Sequence, residues 1–128
     1  MTLQTRKDLP LQGTAWTLDG LIANEAISTV PMGVEAGIEI DAQGTTMNVS
    51  AGCNTGSGSV TIEAGTDASS GTITVGPVGT TRKLCAEDAM AVETLVLSVL
   101  QGPVTYEIDG DALKLTKGDE GLTFTASD

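Results

Sequence analysis

The chain has 128 residues, a hydrophobic content of 40% and a formal net charge of −11, from 17 acidic and 6 basic residues. This length predicts one domain with one core, and six scattered basic residues exclude the clustered positive charge that nucleic acids and anionic membranes select. Because histidine is absent, Ser-His-Asp and Cys-His catalytic sites cannot form, and two cysteines are too few for a zinc site. We therefore expect no metal, no cofactor and no nucleic-acid partner.

The first ten residues are polar and of mixed charge, and they lack the apolar core of a signal peptide. Either the protein is cytoplasmic, or a leader or lipoprotein linker has been removed. Our prediction takes the second alternative, with residues 1–10 as a flexible segment and 11–128 as a single domain. No apolar run approaches the roughly 20 residues that span a membrane.

From Gly13 onward, apolar and polar residues alternate with a period of two, which is typical of half-buried strands. Five such runs precede a helical segment and three follow it, at 14–18, 37–41, 46–51, 59–63, 72–75, 104–108, 112–115 and 122–125. The turns between them are short, and Asp109-Gly110 is a strong hairpin signal. Short turns predict antiparallel pairing, and eight strands with one helix predict a curled sheet whose open face or end the helix covers.

The helical segment covers residues 86–100 and is rich in helix-forming residues. Glu87 and Asp88 favour the positive end of the helix dipole, and Gly102 followed by Pro103 ends the helix. The residues that share one apolar face at helical spacing are Ala89, Val92, Val96 and Val99.

The two cysteines are 32 residues apart: Cys53 lies in a glycine-rich turn and Cys85 directly precedes the helix. A disulfide between them would stabilise the fold by roughly 3.5–4 kcal/mol through chain entropy, and it would indicate an oxidising compartment. Two alternatives stay open. Both residues are buried thiols, or Cys85 is a reactive thiolate favoured by the helix N-terminus and by Arg82 and Lys83.

Three stretches carry a family resemblance: "LQGTAWTLDGL" (11–21), "SAGCNTGSGSV" (50–60) and "ITVGPVGTTRKLCAEDAMAVETLVLSVL" (73–100). In this order they resemble the META domain family, which includes the HslJ-like proteins. The residues that match the family motif are Trp16, Gly52, Cys53, Asn54, Gly58, Thr81 and Cys85.

The resemblance implies a mainly β (α+β) fold, a curved antiparallel barrel-like sheet of about eight strands with lipocalin-like topology, packed on one helix. It also implies bacterial members that are exported or lipoprotein-linked, with links to heat-shock response, novobiocin resistance or parasite virulence. No enzymatic mechanism comes with it. This chain departs from the family in one place, because no aromatic residue follows Gly-Cys-Asn.

We therefore predict a non-enzymatic, exported META-type domain, secreted or lipid-anchored at the bacterial cell envelope, that acts through protein contacts in an envelope or stress-related role. One alternative is a thiol-redox protein that uses Cys85 and Cys53. The other is a barrel that binds a small apolar ligand. The residues that would line this pocket are Met47, Val49, Ile73, Val75, Val96 and Phe124.

Two further residue types need an interpretation. Asn54 is interpreted as a turn former, because asparagine bonds readily to nearby backbone, and Trp16 as a core anchor whose indole N–H needs a partner. Acidic residues also gather on the last two turns, which we interpret as a solvated rim at one end of the sheet rather than a calcium site. These residues are Asp109, Asp111, Asp119 and Glu120.

Overall fold

The computed structural model describes residues 11–24, 26–30, 34–65, 70–81 and 84–127. In chain order the elements are β1 (Ala15–Ala23), β2 (Ala26–Thr29), β3 (Ala36–Ile40), β4 (Thr46–Ala51), β5 (Thr55–Ala64), β6 (Ser70–Val75), β7 (Gly79–Thr80), α1 (Glu87–Val99), β8 (Gly102–Asp109), β9 (Ala112–Lys117) and β10 (Glu120–Ser127). All eight predicted strands and the predicted helix are present, and β2 and β7 are additional.

Eight of the strands form a closed antiparallel barrel. Its neighbours run in the order β1, β3, β4, β5, β6, β8, β9, β10, and β10 then pairs with β1. Barrel neighbours therefore follow one another along the chain, as expected from the short turns. Closure leaves the eight strands without a free edge, and it confirms the prediction of a mainly β, barrel-like antiparallel sheet with one helix.

Alternation along the strands fills the barrel. In β4 the side chains of Met47, Val49 and Ala51 are buried, whereas the residues between them are exposed. One cluster of buried residues joins side chains from all eight barrel strands to the apolar face of α1. Full burial of such side chains contributes about 1.5–3 kcal/mol each, so this cluster is the main source of stability.

The helix closes one end of the barrel. It contacts β1, β4, β9 and β10, and the Ser98 hydroxyl donates a hydrogen bond of 2.8 Å to Glu120, the first residue of β10. Gly52, directly after β4, lies against Ala89 of the helix. Because β4 ends and β10 begins at this end, both contacts place the helix across the same opening.

Strand β7 continues the pairing of β6 along β5. Val75 pairs with Val60, whereas Gly79 pairs with Ser57, so the register shifts by one residue between them. The segment between β6 and β7 therefore contains one residue more than the part of β5 that faces it, which is a β-bulge. The bulge includes Pro77, which has no N–H to donate to a neighbouring strand. On its other side β5 pairs with β4 down to Ser50↔Thr55, so β5 begins at Thr55 rather than at residue 59, and Cys53 lies in the tight turn between β4 and β5.

Strand β2 forms a two-residue hairpin with β1, in which Asn24 has a φ of +52°. All four of its residues are exposed, and Ile27 is 77% exposed. The period-two pattern did not predict this strand, because a strand without a buried face has no alternation.

The side chain of Asp19 crosses the seam that closes the barrel. Its carboxylate accepts a hydrogen bond of 2.7 Å from the Thr123 hydroxyl and a second from the Thr125 hydroxyl. Asp19 belongs to β1 and both threonines belong to β10. These bonds join the first and last strands on the outside of the barrel.

The expectation of one acidic rim is wrong. Asp109 and Asp111 flank the turn between β8 and β9, whereas Asp119 and Glu120 lie at the turn between β9 and β10. The two turns lie at opposite ends of β9, so the four carboxylates do not converge. Among the described residues, no three acidic or cysteine side chains are close enough to hold a metal ion.

Tyr106 provides a test of this core. It is the single tyrosine and is 2% exposed, and burial raises the pKa of its hydroxyl above the ordinary value of 10.0. Because the folded pKa is the higher one, the stabilisation of the neutral phenol is present below about pH 10 and is lost as pH rises through the folded pKa. We expect tyrosinate absorbance in the native protein to appear only above pH 10.

Denaturant unfolding over the same alkaline range should show a falling free energy of unfolding. Tyr106→Phe should remove the absorbance step and identify its origin. A native titration midpoint at or below the ordinary tyrosine value would contradict the burial of this side chain.

Candidate functional site: the turn after β4 and the facing helix

The turn between β4 and β5 approaches the first half of α1 because of a glycine. Gly52 has a φ of +107°, a conformation that favours glycine. A Cβ at this position would lie 3.1 Å from the carbonyl oxygen of Ala89 and 3.4 Å from Cγ1 of Val92. The absence of a side chain therefore lets the turn backbone pack directly on the helix.

The next residue is covalently tied to the start of the helix. Cys53 and Cys85 form a disulfide with a Cα–Cα distance of 5.9 Å, which lies within the normal range. This confirms the predicted pairing over the alternative of two free thiols. Cys85 is exposed and Cys53 is half-buried. Arg82 and Lys83, on which the thiolate alternative also rests, lie outside the described residues.

Asn54 is tied to the helix by a buried carboxylate. Its backbone N–H donates to Oε1 of Glu93 at 2.8 Å, and its Nδ2 donates to both carboxylate oxygens at 3.0 Å. Asn54 is 3% exposed and Glu93 is 9% exposed. Hydrogen bonds to an ionised acceptor are the stronger kind, and a buried carboxylate requires such partners.

Thr81 fixes the other side of the Asn54 amide. The Thr81 hydroxyl donates to Oδ1 of Asn54 at 2.9 Å and accepts from the backbone N–H of Thr55 at 3.2 Å. Its own N–H donates to the Thr55 carbonyl at 2.9 Å. The amide orientation is therefore set by a carboxylate on one side and a hydroxyl on the other.

These contacts join three segments of the chain at the helical end of the barrel. The first is the β4–β5 turn, the second is the segment that follows β7, and the third is α1. We call the six residues that form them the turn–helix clamp. They are Gly52, Cys53, Asn54, Thr81, Cys85 and Glu93.

The backbone of Asn54 helps to close the turn, as predicted, but its side chain has a further role. Its carbonyl accepts from the N–H of Ala51 at 2.9 Å and closes the turn. The positive φ belongs to Gly52 and not to Asn54. The Asn54 side chain makes long-range bonds, the furthest to Glu93, 39 residues later.

Two residues of the family motif lie outside the clamp. Gly58 faces the bulge beside β7, where a Cβ would lie 3.0 Å from the Pro77 carbonyl oxygen and 3.1 Å from Cγ2 of Val78. Trp16 is 1% exposed, and its indole N–H donates to the Leu11 carbonyl at 3.3 Å. The predicted role of Trp16 as a core anchor with a bonded indole is confirmed.

The residues predicted to line a ligand pocket lie together inside the barrel. All six are at most 3% exposed and belong to one continuous apolar cluster. They are Met47, Val49, Ile73, Val75, Val96 and Phe124. A concave region on the outside of the sheet shares only Val49 with them. Binding of an apolar ligand inside the barrel stays a prediction.

Glu93 was not among the predicted site residues, although the sequence contains a signal for it. It lies four residues after Ala89, three before Val96 and seven before Leu100, which are all buried. Helical spacing therefore places this charged residue on the apolar stripe. A charged residue at such a position needs a buried partner, but spacing alone does not identify Asn54 as that partner.

The sequence matches the META domain family over residues 9–128, so the chain belongs to this family of non-catalytic domains. It is similar in structure to a protein from Burkholderia xenovorans solved by NMR, with a TM-score of 0.70 and 20% identity, over 99% of this chain and 94% of that one. A second NMR structure has a TM-score of 0.67 and 19% identity over 90% of each chain. Likeness at these identities shows the fold alone. None of the curated proteins matches the sequence.

The clamp predicts strong coupling between two residues that are distant in sequence. Glu93→Ala and Asn54→Ala should each lower the free energy of unfolding by about 2–4 kcal/mol, because each leaves buried polar groups unpaired. The double variant should lose less than the sum, with a coupling energy of about 1–3 kcal/mol. Denaturant unfolding of the four proteins measures this cycle.

A matched control is Glu107→Ala, the same change at an exposed glutamate on β8. Substitution there should change stability by no more than about 0.5 kcal/mol. Strict additivity of the two clamp substitutions would show that Glu93 and Asn54 do not depend on one another.

Proposed function

We propose that this chain is a non-catalytic META domain that is exported to the bacterial cell envelope and acts there through protein contacts. The observation that carries the proposal is the disulfide between Cys53 and Cys85. Disulfides form and persist in oxidising compartments and are rare in the bacterial cytoplasm. The envelope or stress-related role follows the family resemblance.

The chemistry of the clamp supports a structural rather than a catalytic role. Both sulfur atoms are bonded to each other, and the Glu93 carboxylate accepts three hydrogen bonds from Asn54. The Thr81 hydroxyl is engaged on both sides. Groups that are already paired in this way hold the fold, whereas a nucleophile or a general base needs an accessible position next to its substrate.

The surface supports a role through protein contacts. Leu84 is 93% exposed and directly precedes the bridged Cys85, and Ile27 is 77% exposed on β2. Large apolar side chains in these positions gain from burial against a partner. Within the described residues, no helix has the length and apolar character needed to cross a membrane.

The proposal can be tested in the bacterium that makes the protein. The full chain, tagged at its C-terminus and expressed from its own promoter, would be located by fractionation. Its thiols would be trapped in acid and labelled with a large maleimide. We expect the protein in the extracytoplasmic fraction, with thiols that react only after reduction.

A matched control is the Cys85→Ser variant, in which Cys53 has no disulfide partner. Its Cys53 thiol should react with the maleimide without prior reduction. The proposal would be contradicted if the tagged protein fractionates with a cytoplasmic marker and both cysteines react without a reductant. A disulfide that is reduced and reformed during activity would instead favour the thiol-redox alternative.

A further inference from the structure

The outer face of the barrel carries a concave region of about 720 Å³ that crosses β1, β3, β4 and β5. We call this region the β3 groove, and Glu35, Gly37 and Glu39 form its centre line. Both glutamates are exposed, and Gly37 is half-buried between them. The groove lies on the opposite face of the sheet from the buried core, so it is separate from the predicted apolar pocket.

The groove is concave because small side chains form its floor. Gly37 pairs with Thr17 of β1 and with Ser50 of β4. A Cβ on Gly37 would collide with the carbonyl oxygen of Trp16, so a larger residue does not fit there. Small residues on the neighbouring strands β1 and β5 also line the groove: Ala15, Thr55, Gly56 and Ser57.

The described residues that line the groove carry charge of one sign. None of these described residues is basic, and Glu35 and Glu39 are the charged ones among them. They are four residues apart along an extended chain and line the same groove, which puts their Cα atoms about 13 Å apart. In an extended peptide, two residues that are four apart lie on the same side and have the same Cα separation of about 13 Å. Two such residues of a peptide can therefore face Glu35 and Glu39.

We propose that the β3 groove binds an extended basic segment of a partner protein. Two lysine or arginine residues four apart would pair with Glu35 and Glu39, and a small residue between them would lie over Gly37. Charge complementarity supports this occupant, because the whole chain has a net charge of −11. The proposal rests on the proposed function, since it identifies a surface for the expected protein contacts.

NMR titration of the isotope-labelled full chain with two short peptides tests the groove. The first, capped at both ends, contains Lys-Thr-Ala-Thr-Lys, and the second contains Lys-Thr-Ala-Lys-Thr. Both have the same composition, but only the first presents both lysines on one side of an extended chain. We expect the first peptide to shift amide signals of residues 15–17, 35–39, 48–50 and 55–57, and to bind more tightly than the second.

A pair of double variants separates the groove from general charge attraction. Glu35→Gln with Glu39→Gln should weaken binding of the first peptide by about tenfold. Glu63→Gln with Glu107→Gln removes the same charge from exposed positions on β5 and β8, and it should change binding by less than about twofold. All four substitutions are at exposed positions, so the variants should retain the fold.

Equal weakening by both double variants, shifts spread over the whole acidic surface, or equal binding of the two peptides would overturn this inference. None of these results depends on where the protein resides in the cell. A protein that stays in the cytoplasm with reduced cysteines would contradict the proposed function while the groove still bound the peptide. If neither peptide bound to the groove, only the inference about the groove would be contradicted.

Discussion

The carboxylate of Glu93 is the group on which the helical end of the barrel depends. An isolated buried carboxylate would cost several kcal/mol in lost hydration, and the three hydrogen bonds that the backbone N–H and Nδ2 of Asn54 donate offset this cost. The helix itself begins at Glu87, its N-cap residue Ala86 makes no side-chain hydrogen bond, and three of its residues are valine, so its own helical propensity is only moderate. Contacts with the turn and the core therefore hold α1 across the barrel end.

The clamp and the barrel closure have complementary roles. Pairing of β1 with β10 closes the sheet, and the Asp19 bonds cover that seam from outside. Closure leaves an opening where β4 ends, and α1 fills it. Two links join the turn after β4 to α1 and the segment before it. The disulfide bonds Cys53 covalently to Cys85, and the hydrogen bonds join Asn54 to Glu93. The β3 groove lies on the outside of this assembly, where its polar side chains do not disturb the core.

Much of the fold could be predicted from the sequence, because burial on one face produces a pattern. The alternation of Met47, Val49 and Ala51 and the spacing of Val92, Val96 and Val99 both identified buried faces correctly. Strand β2 has no buried face and so has no such pattern. The long-range partners of Asn54 also could not be predicted, since its bond to Glu93 spans 39 residues and depends on the closed barrel.

The most direct measurement is the amide exchange rate of Asn54, by NMR, in a Cys53→Ser, Cys85→Ser background with and without Glu93→Gln. If the carboxylate holds the turn independently of the disulfide, the Asn54 N–H should stay protected without the bridge. Adding Glu93→Gln should then speed its exchange by about 30–100-fold, the equivalent of the charged hydrogen bond it loses. An Asn54 amide that exchanges freely once the bridge is removed would show instead that the disulfide alone holds the turn against the helix.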